Sequence, residues 1–223
     1  MSQQILDIPN TIAAHDQILH FPKGGQPKLA ANEWLIWSGN LNKNEDEGTN
    51  STLPDLEHGI KKVLVPFTWW RSQIPSQIQG QLQSPLNSHH NEADLFSKAK
   101  QGQIGVWFAA DEDILKHADL IEQGKTLWPV VAAHFPIFRD GRSFSTAALL
   151  RDRFQWTGEI RAIGDVLIDQ LLQGARVGFD SFALRPDQNT SVALKQFDLF
   201  AVTTQNSWRG QRTIRASLSE LSA

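Results

Sequence analysis

Short apolar runs alternate with longer amphipathic segments along most of the chain, and this alternation predicts strands and helices. The predicted strands are 62–67, 104–109, 128–135, 158–164 and 180–185, with 32–39 as a further edge strand. Runs of this length that are almost wholly apolar are typical of strands buried on both faces. The connections are too long for hairpins, so they predict βαβ units with parallel strands and right-handed crossovers. The pattern therefore predicts an α/β fold, a single domain with a mainly parallel sheet, built as either an open sheet or a partial barrel.

Residue types that favour helix N-termini occur between the predicted strands. The predicted helix starts are Asp111 or Asp113, Ser143 or Ser145, Asp165, and residue 189. A side-chain oxygen at such a position accepts from a free backbone N–H in the first helical turn. Gly124 and Gly178 are predicted to end the first and third of these helices, because glycine is common just beyond a helix C-terminus.

Changes in polarity along the chain predict its domain organisation. Residues 1–31 are interpreted as an N-terminal extension, 32–200 as the α/β domain and 201–223 as a C-terminal tail. Within the domain, 40–55 and 72–94 are rich in polar and turn-forming residues, so both are predicted to be loops.

Composition narrows the classes of function. The 223 residues carry a net charge of −3 without a basic block, so nucleic acid is not an expected partner. No apolar run approaches the roughly 20 residues of a membrane span. The N-terminal sequence also lacks the basic and apolar regions of a signal peptide. A cytoplasmic protein without a membrane partner is expected. Whether it forms a homo-oligomer is left open by the sequence.

The chain contains no cysteine and no tyrosine. Thiol nucleophiles, disulfides and thiolate-held iron–sulfur clusters are therefore excluded within this sequence. No dinucleotide, phosphate-loop or zinc-protease motif is present, so the cofactor stays unknown. His89 and His90, with Glu92 and Asp94, lie in a polar segment where histidines are usually solvated, and no metal site is predicted there.

Tryptophan is abundant, and most of its copies fall in or beside apolar stretches. These seven are Trp34, Trp37, Trp69, Trp70, Trp107, Trp128 and Trp156. We interpret them as core residues, with a flat aromatic partner surface as the alternative.

Candidate chemistry concentrates in residues 138–170, where aspartates and arginines follow predicted strands. Ligand sites in parallel α/β folds gather where strands end and helices begin. The predicted site residues are Asp140, Arg142, Asp165 and Asp169 at one rim, together with Arg161 inside the fourth strand. A buried arginine needs a counter-charge, so Arg161 is expected to pair with one of the three aspartates.

Three interpretations of these residues remain open. The aspartates can cap helices, and Arg–Asp ion pairs can hold neighbouring strand–helix units together, without any ligand. Arg142 and Arg161, with Asp140 and Asp165, can bind an anion or a cofactor near helix N-termini. Asp140, Asp165 and Asp169 can instead form a carboxylate acid/base site.

Residues 135–184 resemble the core signature of the bacterial DUF934 family. The matching segments are Phe135-Pro136, Asp140-Gly141-Arg142, Leu149-Leu150-Arg151, Gly158-Glu159-Ile160-Arg161-Ala162, Gly164-Asp165-Val166-Leu167, Asp169-Gln170 and Gly178-Phe179-Asp180. A weaker similarity extends over about 33–200.

The resemblance implies a link to sulfite reduction, because the family carries an oxidoreductase label that rests on association with assimilatory sulfite reductase. Since no residue motif here transfers electrons alone, we expect an accessory protein that docks on sulfite reductase or its electron donor. The alternative is an oxidoreductase or other enzyme that binds a small anion or a phosphorylated cofactor at the carboxyl ends of the strands. Docking predicts arginines already paired with carboxylates and an exposed tryptophan patch, whereas an enzyme predicts an open pocket with an unpaired arginine.

Overall fold

A computed structural model describes residues 10–39, 53–54, 62–74, 90–199 and 205–210, with only the backbone described at 90–93. Its strands are β1 (Gln17–His20), β2 (Lys28–Ala31), β3 (Trp34–Ile36), β4 (Lys62–Pro66), β5 (Ile104–Phe108), β6 (Val130–Phe135), β7 (Glu159–Gly164) and β8 (Ser181–Phe182). Its α-helices are α1 (Phe67–Ser72), α2 (His90–Lys100), α3 (Ala118–Leu127), α4 (Arg142–Asp152), α5 (Leu171–Val177) and α6 (Thr190–Leu194).

The strands form one eight-stranded sheet in the order β2-β1-β8-β7-β6-β5-β4-β3. From β3 to β8 each strand lies parallel to the next in chain order. β1 and β2 add an antiparallel edge beyond β8. The α/β class and the mainly parallel sheet are therefore confirmed. Residues 17–31, which the sequence pattern placed in an N-terminal extension, form these two strands.

The sheet is open but strongly curled, like a partial barrel. Arg161 of β7 places its guanidinium 5.9 Å from the ring centroid of Trp34 in β3, although three strands separate them in the sheet. Residues 10–16 cross between the two sides, since Ile12 N–H donates to Ile36 C=O (2.9 Å) and His15 N–H donates to Leu184 C=O (2.9 Å).

Helices cover one face of the sheet, as right-handed crossovers between neighbouring strands require. Their buried residues join the large core, for example Leu95 of α2, Ile121 of α3, Leu150 of α4 and Leu171 of α5. The other face, here called the inner face, holds a smaller cluster: Ile18, Trp34, Ile36, Leu64, Trp107, Val130, Ala132, Ile163 and Ala183. All seven tryptophans predicted in the core are buried, so the aromatic-surface alternative is wrong for them.

Helix starts were predicted less well than strands. Asp113 does begin a helical segment, because its carboxylate accepts from Leu115 N–H (3.3 Å) at a 3-10 turn that runs into α3. Gly124 does not end α3 but lies within it, where a Cβ would stand 2.1 Å from the Trp128 ring. The close approach of that indole, and not a helix end, explains the glycine.

The other predicted caps have different roles. Ser143 lies inside the first turn of α4 and its hydroxyl donates to His134 C=O (2.6 Å), which ties the helix to β6. Asp165 does not cap a helix, since α5 begins only at Leu171. The last predicted helix, 189–200, is shorter: Asn189 caps α6, which continues as a 3-10 turn to Asp198.

Some predictions fall largely outside the described residues. These are the loop at 40–55 and most of the loop at 72–94, although α2 already begins at His90. The side chains of His89, His90 and Glu92 also lie outside the described part of the chain. Among the described residues, no cluster of side chains suited to a metal ion is found. Among the described helices, none combines the length and apolarity needed to cross a membrane.

Candidate functional site

The carboxyl ends of β5 to β8 lead into four loops, at 109–113, 136–141, 165–170 and 183–189, which together form what we call the carboxyl rim. Asp165 is its central side chain. One carboxylate oxygen accepts from Phe138 N–H (2.8 Å), and the other accepts from Arg185 Nη1 (2.7 Å). The structure thus brings Asp165 beside the loop that carries Asp140, but in a role that fixes loops together.

Gly164, the residue before Asp165, allows the tight turn that places Asp165 at the rim. Gly164 adopts φ +92°, and a Cβ there would stand 2.4 Å from Phe135 C=O. Only glycine fits such a turn, because L side chains rarely adopt this conformation. Asp165 N–H then donates to the same Phe135 C=O (2.8 Å), so the chain reverses directly at the end of the sheet.

Arg142 and Asp140 form a bidentate pair at the rim. Nε and Nη2 of Arg142 donate to the carboxylate at 3.0 and 2.6 Å. The hydrogen bond from the Arg142 side chain lowers the pKa of Asp140 to about 2. The guanidinium predicted to bind an anion is therefore already engaged. Asp169 is exposed and makes no hydrogen bond or ion pair with another described side chain.

Sequence reasoning missed a second arginine at the rim. Arg185 donates from Nε to Asp187 (2.6 Å) and from Nη1 to Asp165 (2.7 Å). The hydrogen bond from Arg185 lowers the pKa of Asp187 to about 2. The signal was present, because Arg185 and Asp187 stand two residues apart just as Asp140 and Arg142 do.

A pocket of about 290 Å³ opens between the loop after β5 and α4. Its walls include Arg142 and the carboxylates of Asp111, Glu112 and Asp113. Since its arginine is paired and its other charges are negative, this pocket is poorly suited to an anion.

Arg161 is buried as predicted, at 2% exposure, but its predicted partners are wrong. Nε and Nη2 both donate to Oε1 of Glu159, at 3.0 and 2.7 Å. Alternate residues of a strand lie on one face, so Glu159 is the carboxylate within reach, two positions earlier on the inner face. The side chain points toward the start of β7, away from the rim and its aspartates.

Glu159 remains the ionised partner of this pair. Burial acts to raise its pKa, but the Arg161 guanidinium and the Ser181 hydroxyl outweigh burial and hold the pKa below its usual value. Burial lowers the pKa of Arg161 despite Glu159. Arginine nevertheless stays protonated in proteins, so the two side chains form a true ion pair.

A second buried pair joins α4 to the start of β8. Arg151, whose side chain is 1% exposed, donates from Nη2 to Asp180. Its remaining bonds go to backbone carbonyls, including Gly158 C=O (3.0 Å) and Gly178 C=O (3.0 Å). Burial raises the pKa of Asp180, with Arg151 opposing the rise. The Leu-Leu-Arg and Gly-Phe-Asp segments of the resemblance therefore meet at this pair.

A cleft of about 550 Å³ opens near these charges, at the amino end of β7, and is here called the amino-end cleft. Its lining consists of His20, Pro22, Lys23, Arg151, Gln155, Trp156, Thr157, Gly158, Glu159, Asp180 and Trp208. Sequence reasoning missed this cleft, because β1 and residues 205–210 lie far from β7 along the chain and meet it only in the folded protein.

Residues 205–210 form one wall of the amino-end cleft. Arg209 donates from Nε to Ala175 C=O (2.9 Å) and from Nη2 to Phe179 C=O (2.6 Å). These bonds hold the neighbouring Trp208 against the guanidinium of Arg151, which lies 4.1 Å from the ring centroid. Lys23 places its ammonium 4.8 Å from the centroid of the same ring.

Comparisons with known proteins give a family and no function. No curated protein matches the chain, and no solved structure matches it. The family model described as "Bacterial protein of unknown function (DUF934)" matches residues 105–215. This segment runs from β5 to beyond Arg209, so it includes the whole carboxyl rim and most of the amino-end cleft. The chain therefore belongs to the DUF934 family.

Proposed function

We propose that this protein acts in the cytoplasm as an accessory protein of assimilatory sulfite reduction, docking on sulfite reductase or on its electron donor. The link to sulfite reduction comes from the resemblance described above. The single observation that supports docking is a rigid, exposed apolar loop at the carboxyl rim.

That loop carries Ile137 and Phe138, which are 43% and 50% exposed. Its backbone is held on both sides of Phe138: the N–H donates to Asp165 (2.8 Å), and the C=O accepts from Gln170 Nε2 (2.6 Å). An apolar side chain on a fixed backbone loses little freedom when a partner binds, and aromatic anchors of this kind contribute strongly to interfaces.

One of the two features expected for docking, arginines paired with carboxylates, is present around the loop, whereas the seven tryptophans considered for an exposed patch are buried. Arg142 is paired with Asp140, and Arg185 is paired with Asp165 and Asp187. Arg161 lies away from the rim. The alternative, an enzyme that binds a small anion at this rim, needs a free guanidinium. None of these three arginines supplies one, whereas the exposed Arg139, next to Phe138, has no partner among the described residues.

The proposed role is tested first in the host bacterium. A strain that lacks the protein should fail to grow with sulfate or sulfite as sole sulfur source, and should grow normally on sulfide or cysteine. Sulfide is the product of the blocked step, so rescue by sulfide places the defect at sulfite reduction. Equal growth of both strains on sulfite would rule out the proposed role.

Docking is tested with the purified proteins. Phe138→Ser should weaken binding to sulfite reductase or its donor at least tenfold, the loss expected for an aromatic anchor. Val192→Ser is the matched control, since Val192 is 44% exposed on α6 and lies outside the rim. Both changes replace exposed side chains, so the melting temperatures should stay close to that of the wild type. Equal affinity of the two variants, or no binding of the wild-type protein to either partner, would contradict docking through this loop.

A further inference from the structure

The amino-end cleft contains an acceptor that the protein leaves unused. Oε1 of Glu159 accepts from Nε and Nη2 of Arg161 and from the Ser181 hydroxyl, whereas Oε2 receives no hydrogen bond from any described residue. The carboxylate is ionised and fixed, because three donors hold one oxygen. Its second oxygen is therefore a preorganised acceptor in a cleft that also contains the half-buried His20.

The cleft also contains a positive charge without a described counter-charge. Lys23 has an aromatic contact with Trp208, but no carboxylate within the described part of the chain pairs with its ammonium. The indole N–H of Trp156 is buried against Gly158 and finds no acceptor among the described residues. Because this N–H is buried, it is a reporter of changes in the cleft wall and not a contact for a ligand.

The other charges of the cleft cancel in pairs. Asp180 is neutralised by Arg151, and Glu159 by Arg161. Four of the five N–H groups of Arg151 donate to Asp180 and to three backbone carbonyls. Among the described residues that line the cleft, the ammonium of Lys23 is thus the positive charge left to attract a ligand, and Oε2 of Glu159 is the acceptor left to orient one.

We propose that the amino-end cleft binds a small organic acid that also carries a hydroxyl or ammonium group. The acid group lies by Lys23, and the hydroxyl or ammonium donates to Oε2 of Glu159. The cleft volume of about 550 Å³ is within the range of small-molecule sites, roughly 300–1,000 Å³. This inference does not rest on a role in sulfite reduction, because no residue of the carboxyl rim takes part.

Four three-carbon compounds of similar size test the proposal: lactate, alanine, propionate and propane-1,2-diol. Lactate and alanine carry both an acid and a donor, propionate lacks the donor, and the diol lacks the acid. Binding is followed by calorimetry and by the indole N–H signals in NMR, with affinities expected around the millimolar range for so few atoms. The signals of Trp156 and Trp208 should move, and that of Trp70, which is buried in α1 against Phe96 of α2, should not.

At least one of lactate and alanine should bind tenfold or more tightly than propionate and the diol, about the effect of one hydrogen bond to a charged group. Preference for lactate identifies a hydroxyl donor, and preference for alanine an ammonium. Equal affinities for all four compounds, or no movement of the Trp156 and Trp208 signals, would overturn the proposal.

A lysine variant tests the acid contact without disturbing the buried pairs. Lys23→Gln should reduce the affinity for the preferred acid at least tenfold, and Lys195→Gln, an exposed lysine beyond α6, should leave it unchanged. Both variants should melt like the wild type, because neither lysine is buried. Unchanged binding in Lys23→Gln would show that the acid does not lie where we place it.

Discussion

Arg161→Ala is predicted to destabilise the protein strongly, because it leaves a charge without its partner. The Arg161 side chain is 3% exposed and the Glu159 side chain 22%. Without the guanidinium, Glu159 keeps only the Ser181 hydroxyl among its three donors. Removing one partner of a buried pair costs about 3–5 kcal/mol. Since Glu159 is partly reached by water, we expect the lower end, about 3 kcal/mol of unfolding free energy.

Urea unfolding of three further variants separates this cause from simple loss of packing. Arg142→Ala is the control, because its ion pair is exposed at the rim and its loss should change stability little. Glu159→Gln combined with Arg161→Met removes both charges and should recover about 2 kcal/mol of the loss, since a neutral pair leaves nothing to solvate. Arg161→Lys should recover less, because one ammonium cannot reproduce two donors on a single oxygen. If Arg161→Ala lost less than about 1 kcal/mol, the buried pair would not be the cause we assign to it.

Two further predictions concern the packing of α3 and two half-buried histidines. Gly124→Ala should lower stability by about 1–3 kcal/mol, because the added Cβ meets the Trp128 ring at 2.1 Å. Gly141→Ala is the control and should not lower stability, because its Cβ would stand 3.8 Å from the Phe144 ring. Thermal melts of both variants check this. Burial lowers the pKa of His20 and of His134, so the unfolded chain binds more protons and stability should fall as the pH drops below about 6.5. Urea unfolding at neutral and mildly acidic pH should show a smaller drop in His134→Gln than in the wild type, and equal drops would contradict a neutral His134 in the folded protein.

The strands of the parallel sheet could be predicted because each is a local apolar run. β4, β5, β6 and β7 lie within a residue or two of their predicted ends. β1 and β2 were not predicted, since each has only four residues and their place beside β8 depends on pairing across more than 150 positions of the chain. A pattern read along the sequence contains no signal for such pairing.

The amino-end cleft was missed for a related physical reason. The rule that sites lie at the carboxyl ends of strands pointed to the rim, where the structure shows paired charges. The cleft lies at the opposite end, and His20, Lys23 and Trp208 reach it from distant parts of the chain. Glu159 and Asp180 were present in the resemblance segments, but only the fold reveals that they share one opening.

The arginine pairs show when sequence distance predicts a partner and when it does not. Three arginines take a carboxylate two residues away: Asp140–Arg142, Glu159–Arg161 and Arg185–Asp187. A short segment between two charges costs little entropy to close, so the nearest carboxylate in the chain has an advantage wherever the backbone geometry allows contact. Arg151 departs from this rule and pairs with Asp180, 29 residues away. Its side chain is enclosed by the end of α4 and the starts of β7 and β8, where burial leaves no solvent to replace a missing partner. Local pairs can therefore be predicted from spacing where a carboxylate stands two residues away, as it does for the equally buried Arg161. Leu149 and Arg153 occupy those positions around Arg151, so this arginine takes the carboxylate that the packed fold places beside it.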